Sequence, residues 1–409
     1  MPRTLTPVTM STKRINLQNA KKPDNVPFLS KDSPPMSGSR DFKILCIDGG
    51  GIKGTYSAFL LSTIENQLGQ GKTIGQYFHM VAGTSTGSLI ALGIAAGKSA
   101  KEIAAAYESD GHLIFHDHSK LHRLWKTIQQ VFMSARYDTT QLCATVDSIV
   151  GETKMSESKN YVCIPVTVIN SYAPRIYKTR HGEKHSWKNV SFKHVGLASS
   201  AAPTFFPLVE SEAVAGTLYA DGGLFANNPA LVALIEAFQV FVGPDSERKE
   251  FDTVSILSIG SFPSPVSFKV SGWRSKPWLP QKLRQYLGLR WRSRPARGWM
   301  LPVGGTPPLV DVLMQTQGKY IENALPILQN AFASRFSSYV RLDAIRCKAG
   351  SGSAPNNLTT FSLSDGRPEQ IKEMKRLGEN DGLTSASDPK VRNFFRNEIG
   401  SITLYPHPQ

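Results

Sequence analysis

Gly83-Thr84-Ser85-Thr86-Gly87 fits the pattern G-x-S-x-G. Small residues on both sides of a serine permit a sharp strand-to-helix turn that lifts the hydroxyl out of the backbone, ready to attack an acyl carbon. Bare matches are common in ordinary loops, but this one has an apolar run before it and a small-residue helical stretch after it. A serine hydroxyl is a poor nucleophile until a base takes its proton, and the usual base is an imidazole. The chain has nine histidines, yet only His407 follows Asp221, so the histidine that an α/β-hydrolase places after its acid is missing. Asp221-Gly222-Gly223 offers another base. It follows the strand pattern Leu218-Tyr219-Ala220, which puts the carboxylate at a strand end, where ligands gather in open α/β sheets. An isolated Asp-Gly is by default a simple turn. Beside a serine turn that lacks its histidine, Asp221 reads as the base and then the acid of a Ser85–Asp221 dyad.

Acyl transfer also needs donors for the developing oxyanion. Asp48-Gly49-Gly50-Gly51-Ile52-Lys53-Gly54 would aim several backbone N–H groups into one space at a helix start, where the helix adds partial positive charge. The same residues satisfy G-x-G-x-x-G, so a dinucleotide-binding unit is the rival reading. That unit wants a second strand ending in Asp or Glu about 20 residues on. Glu65 falls inside a helical stretch instead, and the next strand leads to the serine turn, which disfavours a nucleotide-dependent oxidoreductase.

Positioning these groups requires strands that end in tight turns. Lys43–Asp48, Phe78–Ala82, Tyr161–Ile169, Arg175–Thr179, Thr217–Ala220 and Thr253–Ile259 read as strands. Thr55–Leu68, Leu89–Ala96, Val195–Ser200, Pro229–Phe241 and Val310–Phe336 read as helices. Strands alternating with helices predict an α/β domain with a largely parallel sheet covered on both faces. Residues 1–40, rich in Pro, Ser, Lys and Asn, read as a flexible tail. The domain then spans 41–409, with the motif-bearing core in 42–262, an insert at 263–306, and a peripheral strand and helices in 307–409 that complete or cover it.

The chain has 409 residues, 40% of them hydrophobic, and a formal net charge of +15. This composition excludes collagen-like, coiled-coil or wholly disordered chains. Cys46, Cys143, Cys163 and Cys347 are far apart with no C-x-x-C pair, which points to reduced thiols and a cytoplasmic setting. No apolar run reaches the ~18 residues a membrane span needs, so membrane contact is expected to be peripheral, at the inner membrane. The charge is localised: residues 1–43 carry eight basic and three acidic side chains, and residues 269–299 carry nine basic and none acidic.

Asp48–Gly54, Gly83–Gly87, Ala198-Ser199-Ser200-Ala201-Ala202-Pro203 and Asp221–Pro229 resemble, in order, the four blocks of the patatin-like phospholipases. The match covers about residues 42–262. The resemblance implies a three-layer α/β/α fold with a mostly parallel central sheet, a Ser–Asp dyad, hydrolysis of lipid acyl esters, and no metal or other cofactor. It places Ser85 on the nucleophile and Asp221 on the dyad acid. Gly49, Gly50, Gly51, Lys53 and Gly54 fall on the oxyanion loop, Gly83 and Gly87 on the serine turn, and Gly222 and Gly223 on the acid turn. Lys53 stands where many members have Arg, which keeps the charge but removes a bidentate fork. Ala106-Tyr-Glu108, Ile114-Phe115, Arg136-Tyr-Asp138 and Asn227–Glu236 resemble more narrowly the bacterial branch of antiphage (CBASS) phospholipases that a cyclic dinucleotide such as cyclic GMP-AMP activates. That branch implies a homo-oligomer that degrades the cell's own membrane phospholipid. A constitutive phospholipase, or a non-catalytic lipid or nucleotide sensor, is the alternative.

Residues 269–299 hold Trp273, Trp278, Trp291 and Trp299 among their basic residues. Indole favours the headgroup boundary and cationic side chains favour anionic lipid, so Trp273, Arg274, Trp278, Arg290, Trp291 and Arg292 are candidates for a phospholipid surface. Arg also pairs with phosphate and aromatics stack on bases, so a cyclic dinucleotide is the second candidate; a solvated basic loop is the third. Nothing resembles a DNA- or RNA-binding motif. His112, His116, His118 and His122 have helical spacing but no Glu or Cys to complete a metal site, and read as a polar segment.

Overall fold

The run Ile44-Leu45-Cys46-Ile47 is apolar without alternation because both faces of its strand are covered. In the computed structural model, which describes residues 40–114, 139–181, 189–203, 205–262, 308–344, 366–402 and 404, this run lies in the central strand β1 (Asp41–Ile47). Around it lie β2 (Met80–Gly83), β3 (Tyr161–Val168), β4 (Ala173–Lys178), β5 (Val209–Glu210), β6 (Leu218–Asp221), β7 (Thr253–Ile259) and β8 (Phe336–Leu342). The order is β5-β6-β3-β2-β1-β7-β8, with β4 on the other edge of β3. β1, β2, β3, β7 and β8 are parallel, whereas β4 and β6 run antiparallel to β3.

The helices are α1 (Gly54–Leu68), α2 (Thr86–Ala95), α3 (Ala100–Ile114), α4 (Thr139–Val150), α5 (Phe192–Ser199), α6 (Gly223–Ala226), α7 (Ala230–Val240), α8 (Pro308–Ala331), α9 (Pro368–Ser387) and α10 (Pro389–Arg392). Strand side chains alternate between the faces. Leu45 and Ile47 enter a core with α1 to α5 and α9, and Phe42, Ile44 and Cys46 enter a second core with α7 and α8. The result is the expected three-layer α/β/α arrangement.

Two features of the sheet build the site. β1 has its sequence successor β2 on one side and β7 on the other, so the chain order reverses at β1 and a crevice opens at its carboxyl end. The second feature is on β3. Ala82 of β2 pairs with Cys163 and Asp221 of β6 pairs with Val166, while β4 occupies the opposite edge along Cys163–Val168. β2 and β6 therefore share one edge of β3 and meet head to head. The turns that leave them, one carrying Ser85 and the other Asp221, emerge at the same seam.

The expected strands and helices hold to within a few residues except at one boundary, while α3, α4 and β5 were not read from the sequence. The helical pattern read over Val310–Phe336 ends at Ala331, and Phe336 opens β8. Apolar Phe332 and Phe336 keep the helical spacing, and only the tertiary pairing of β8 with β7 decides the change. α9 packs on α1, and its Gly378 and Gly382 let it approach closely: a Cβ on Gly378 would lie 2.6 Å from Tyr56 O, and one on Gly382 2.6 Å from Thr63 Cβ. Tyr56 donates to Asp381 across the same contact at 2.8 Å.

Candidate active site

Both glycines of the serine turn are sterically required. A Cβ on Gly83 would collide with the Gly87 carbonyl, and a Cβ on Gly87 would meet the carbonyls of Ile47 and Asp48. Between them Ser85 adopts φ 53° and ψ −128°. Among the described residues, four non-glycines have positive φ; Gln70, Tyr172 and Lys249 are exposed, whereas Ser85 is 5% exposed. A buried residue held in a costly conformation needs its surroundings to enforce it. The Ser85 amide donates to Ser199 Oγ at 3.1 Å, Gly87 N–H closes the turn on Thr84 O at 2.8 Å, and Thr84 Oγ1 donates to Ala226 O at 2.6 Å.

Asp221 ends β6 and is fully buried. Its Oδ1 accepts from the Gly223 amide at 2.6 Å, and Oδ2 has no well-formed hydrogen bond. Burial pushes the carboxyl up to about 7, opposed by the Gly223 amide and the Ser85 hydroxyl. The three histidines whose side chains are described are engaged elsewhere: His79 with the Lys43 amide, His181 with Thr179 and Glu236, His194 with Tyr177 and Glu212. The acid turn is equally tight at its first glycine, because a Cβ on Gly222 would strike the Pro165 carbonyl, whereas one on Gly223 would meet the movable end of Met314.

The amides of the glycine loop divide by their hydrogen bonds. Gly49 N–H already donates to Asn227 O at 3.0 Å, and Lys53 N–H to Gly50 O at 3.2 Å. Gly54 N–H bonds Gly51 and Ile52 carbonyls. The amides of Gly50 and Gly51 have no protein acceptor among the described residues, which leaves these two of the expected set to receive an external oxygen. The loop adjoins the serine: a Cβ on Gly49 would lie 3.2 Å from Ser85 Cβ and 2.5 Å from Asn227 Oδ1. Lys53 is buried and lines a cavity of about 220 Å³ with Asp48, Asn227, Glu322 and Arg341.

Sequence reasoning missed three supporting residues. Ser199 lies in a block whose pattern was visible but whose task was not. Asn227 binds the glycine loop through its carbonyl and is itself held by Gln317 of α8, which accepts from the Asn227 amide at 2.7 Å. Arg341 of β8 grips Asp48 with two N–H groups, at 3.0 and 2.6 Å, and no motif marks it. Trp273, Arg274, Trp278, Arg290, Trp291 and Arg292 lie outside the described residues, as do the side chains of His112, His116, His118 and His122, the tail, and the insert.

A three-layer α/β/α fold with a serine on a strained turn, a buried carboxyl at the same seam and a glycine loop at the same crevice fits a serine-dependent ester hydrolase. The family model described as patatin-like phospholipase matches residues 45–234; the chain belongs to that family. It is 30% identical to a cGAMP-activated phospholipase of Vibrio cholerae serotype O1, over 79% of this chain and 87% of that protein. It is 31% identical to a cGAMP-activated phospholipase of Escherichia coli, over 86% of this chain and 92% of that one. Patatin-like protein 2 of Arabidopsis thaliana is 31% identical over 60% of this chain and 67% of its own length. Among the described residues no helix is long and apolar enough to cross a membrane.

Proposed function

We propose that the protein cleaves glycerophospholipid esters through a Ser85–Asp221 dyad and an acyl-enzyme, and that a cyclic dinucleotide switches it on to degrade the cell's own membrane in antiphage defence. The observation that supports the chemistry is the head-to-head meeting of β2 and β6 on β3, with a serine on a strained turn after one strand and a buried carboxyl at the end of the other. Asp221 accepts the Ser85 proton as Oγ attacks the ester carbonyl. The tetrahedral oxyanion lies against the Gly50 and Gly51 amides. The proton passes from Asp221 to the departing lyso-lipid oxygen, and the acyl group stays on Ser85. Water then attacks the acyl-enzyme, giving its proton to Asp221, which returns it to Ser85 as the fatty acid leaves.

Only ionised Asp221 accepts a proton. Because burial raises its pKa to about 7, the competent form predominates above that value and is lost below it. With a soluble short-chain ester, kcat/KM is expected to be flat at alkaline pH and to fall about tenfold per unit below the inflection. A profile flat down to pH 5 excludes Asp221 as the base.

Activation rests on the two bacterial relatives, whose names state that cGAMP activates them and which align along most of this chain. Fatty-acid release from vesicles of mixed bacterial phospholipid, measured with and without a panel of cyclic dinucleotides, tests it. Release is expected only with a matching nucleotide, cyclic GMP-AMP first among them. Equal release throughout supports instead a constitutive phospholipase of the same family.

A further inference from the structure

We infer that Ser199 is a positioning residue that sets the separation between Ser85 and Asp221; the inference rests on the dyad proposed above. β2 pairs with β3 as far as Cys163, and β6 resumes at Val166. Pro165 lies in the gap, and its carbonyl has neither strand to bond on that edge. Ser199, at the end of α5 and fully buried, fills the place. Its hydroxyl donates to Pro165 O at 2.8 Å and accepts from the Ser85 amide at 3.1 Å. The direction is fixed, since a carbonyl only accepts and an N–H only donates.

The same short segment holds the other half of the site. Ser199 O accepts from Gly222 N–H at 3.3 Å, and Ala201 O accepts from Asp221 N–H at 2.9 Å. Residues 199–201 therefore bind the backbone of the serine on one side and of the aspartate on the other. Among the described residues, the hydroxyl of Ser199 is the side-chain atom of that bridge that hydrogen-bonds the serine turn. It also helps hold Ser85 at its φ of 53°, together with the Gly87–Thr84 and Thr84–Ala226 bonds. Removing the hydroxyl leaves a buried donor and a buried acceptor unmet and frees the turn to relax away from Asp221.

The test uses the full chain with cyclic GMP-AMP added, a soluble short-chain ester as substrate, and rates expressed per folded molecule after thermal melts. Ser199→Ala is expected to lower kcat about thirtyfold to a hundredfold, the scale of an ångström of misplacement, with KM changed less than about threefold. The acid limb of the kcat profile should also move to higher pH. Asp221 is opposed in its upward shift by the Gly223 amide and the Ser85 hydroxyl, with no charged side chain contributing, so a retreating hydroxyl lets its pKa rise. Ser199→Cys, which keeps a weak donor and acceptor of similar size, should fall between. A lower melting temperature with kcat and the acid limb unchanged assigns Ser199 a structural role alone and overturns the inference. If Ser199→Ala does not fold, Ser199→Cys decides by the same two readouts. Asp221→Ala and Ser85→Ala run alongside: full activity in either removes the dyad itself, whereas their loss with an unaffected Ser199→Ala removes only the positioning role.

Discussion

Asp221→Asn is expected to reduce ester hydrolysis on the order of 10⁴-fold or more while making the folded protein more stable at pH 8 than the native chain. The two effects have one cause. A buried carboxyl that must ionise to do its work is held in the protein against its solvation preference, and its pKa rises from 3.8 to about 7. Between those values the native state keeps a proton that the unfolded chain has released. Stability therefore falls as pH rises through that window and stays lowered above it. The difference sets a ceiling of about 4 kcal/mol, which asparagine avoids because it carries no charge. Its side-chain oxygen still accepts the Gly223 amide, so the acid turn is retained. Melting curves of both proteins at pH 5 and pH 8, beside initial rates at pH 8, decide it. The melting advantage of the variant should grow with pH. Retained hydrolysis, or a melting difference independent of pH, contradicts the assignment. Ser85→Ala should match the loss of rate without the pH-dependent gain in stability.

The serine and glycine turns were legible because their constraints are local. Gly83, Gly87 and Gly222 each face backbone atoms that exclude a Cβ, and sequence records such exclusions as glycine. Asp221 was singled out by a different route, from the lack of a histidine after it, and it ends β6. What the sequence does not carry is register. That β6 would run antiparallel and abut β2 on one edge of β3 depends on pairings between segments more than fifty residues apart. The short β5 and the antiparallel β4 leave no period distinct from that of the parallel strands. The division of labour within the glycine loop was hidden for a related reason. Gly49 looks the same as Gly50 in sequence, and only the carbonyl of Asn227, brought in from the acid turn, occupies its amide. Arg341 was beyond reach altogether, since a single arginine 293 positions from its partner resembles any surface arginine.

That arginine carries the second large effect. Arg341 sits at the carboxyl ends of β1, β7 and β8 with its donors distributed over four partners. It binds both oxygens of Asp48, Glu322 Oε1 at 3.0 Å, Asp343 Oδ1 at 2.8 Å and Ser258 Oγ at 2.8 Å. Burial pushes Asp48 up to about 6, with Arg341 pulling it back and Asp343 and Glu322 adding to the rise, so at neutral pH the carboxylate is charged and depends on the guanidinium. Arg341→Met leaves three largely buried acids facing one another. Losing one partner of a buried pair costs about 3–5 kcal/mol, and the melting temperature should fall accordingly. Asp48 immediately precedes Gly49–Gly51, so release of its side chain also loosens the amides of Gly50 and Gly51. If these hold the oxyanion, kcat should drop on the order of a hundredfold. Arg341→Lys separates the two consequences, because it retains the charge but not the fork that grips both Asp48 oxygens; stability should recover more than kcat. Asp48→Asn combined with Arg341→Met should be more stable than Arg341→Met alone, since one uncompensated charge has gone. If the two substitutions add independently in melting experiments, the pair is not a coupled unit. If kcat is unchanged in Arg341→Met at a temperature where the protein is folded, the oxyanion loop holds its shape without β8, through the Asn227 carbonyl and the backbone bond from Asp48 N–H to Ile259 O.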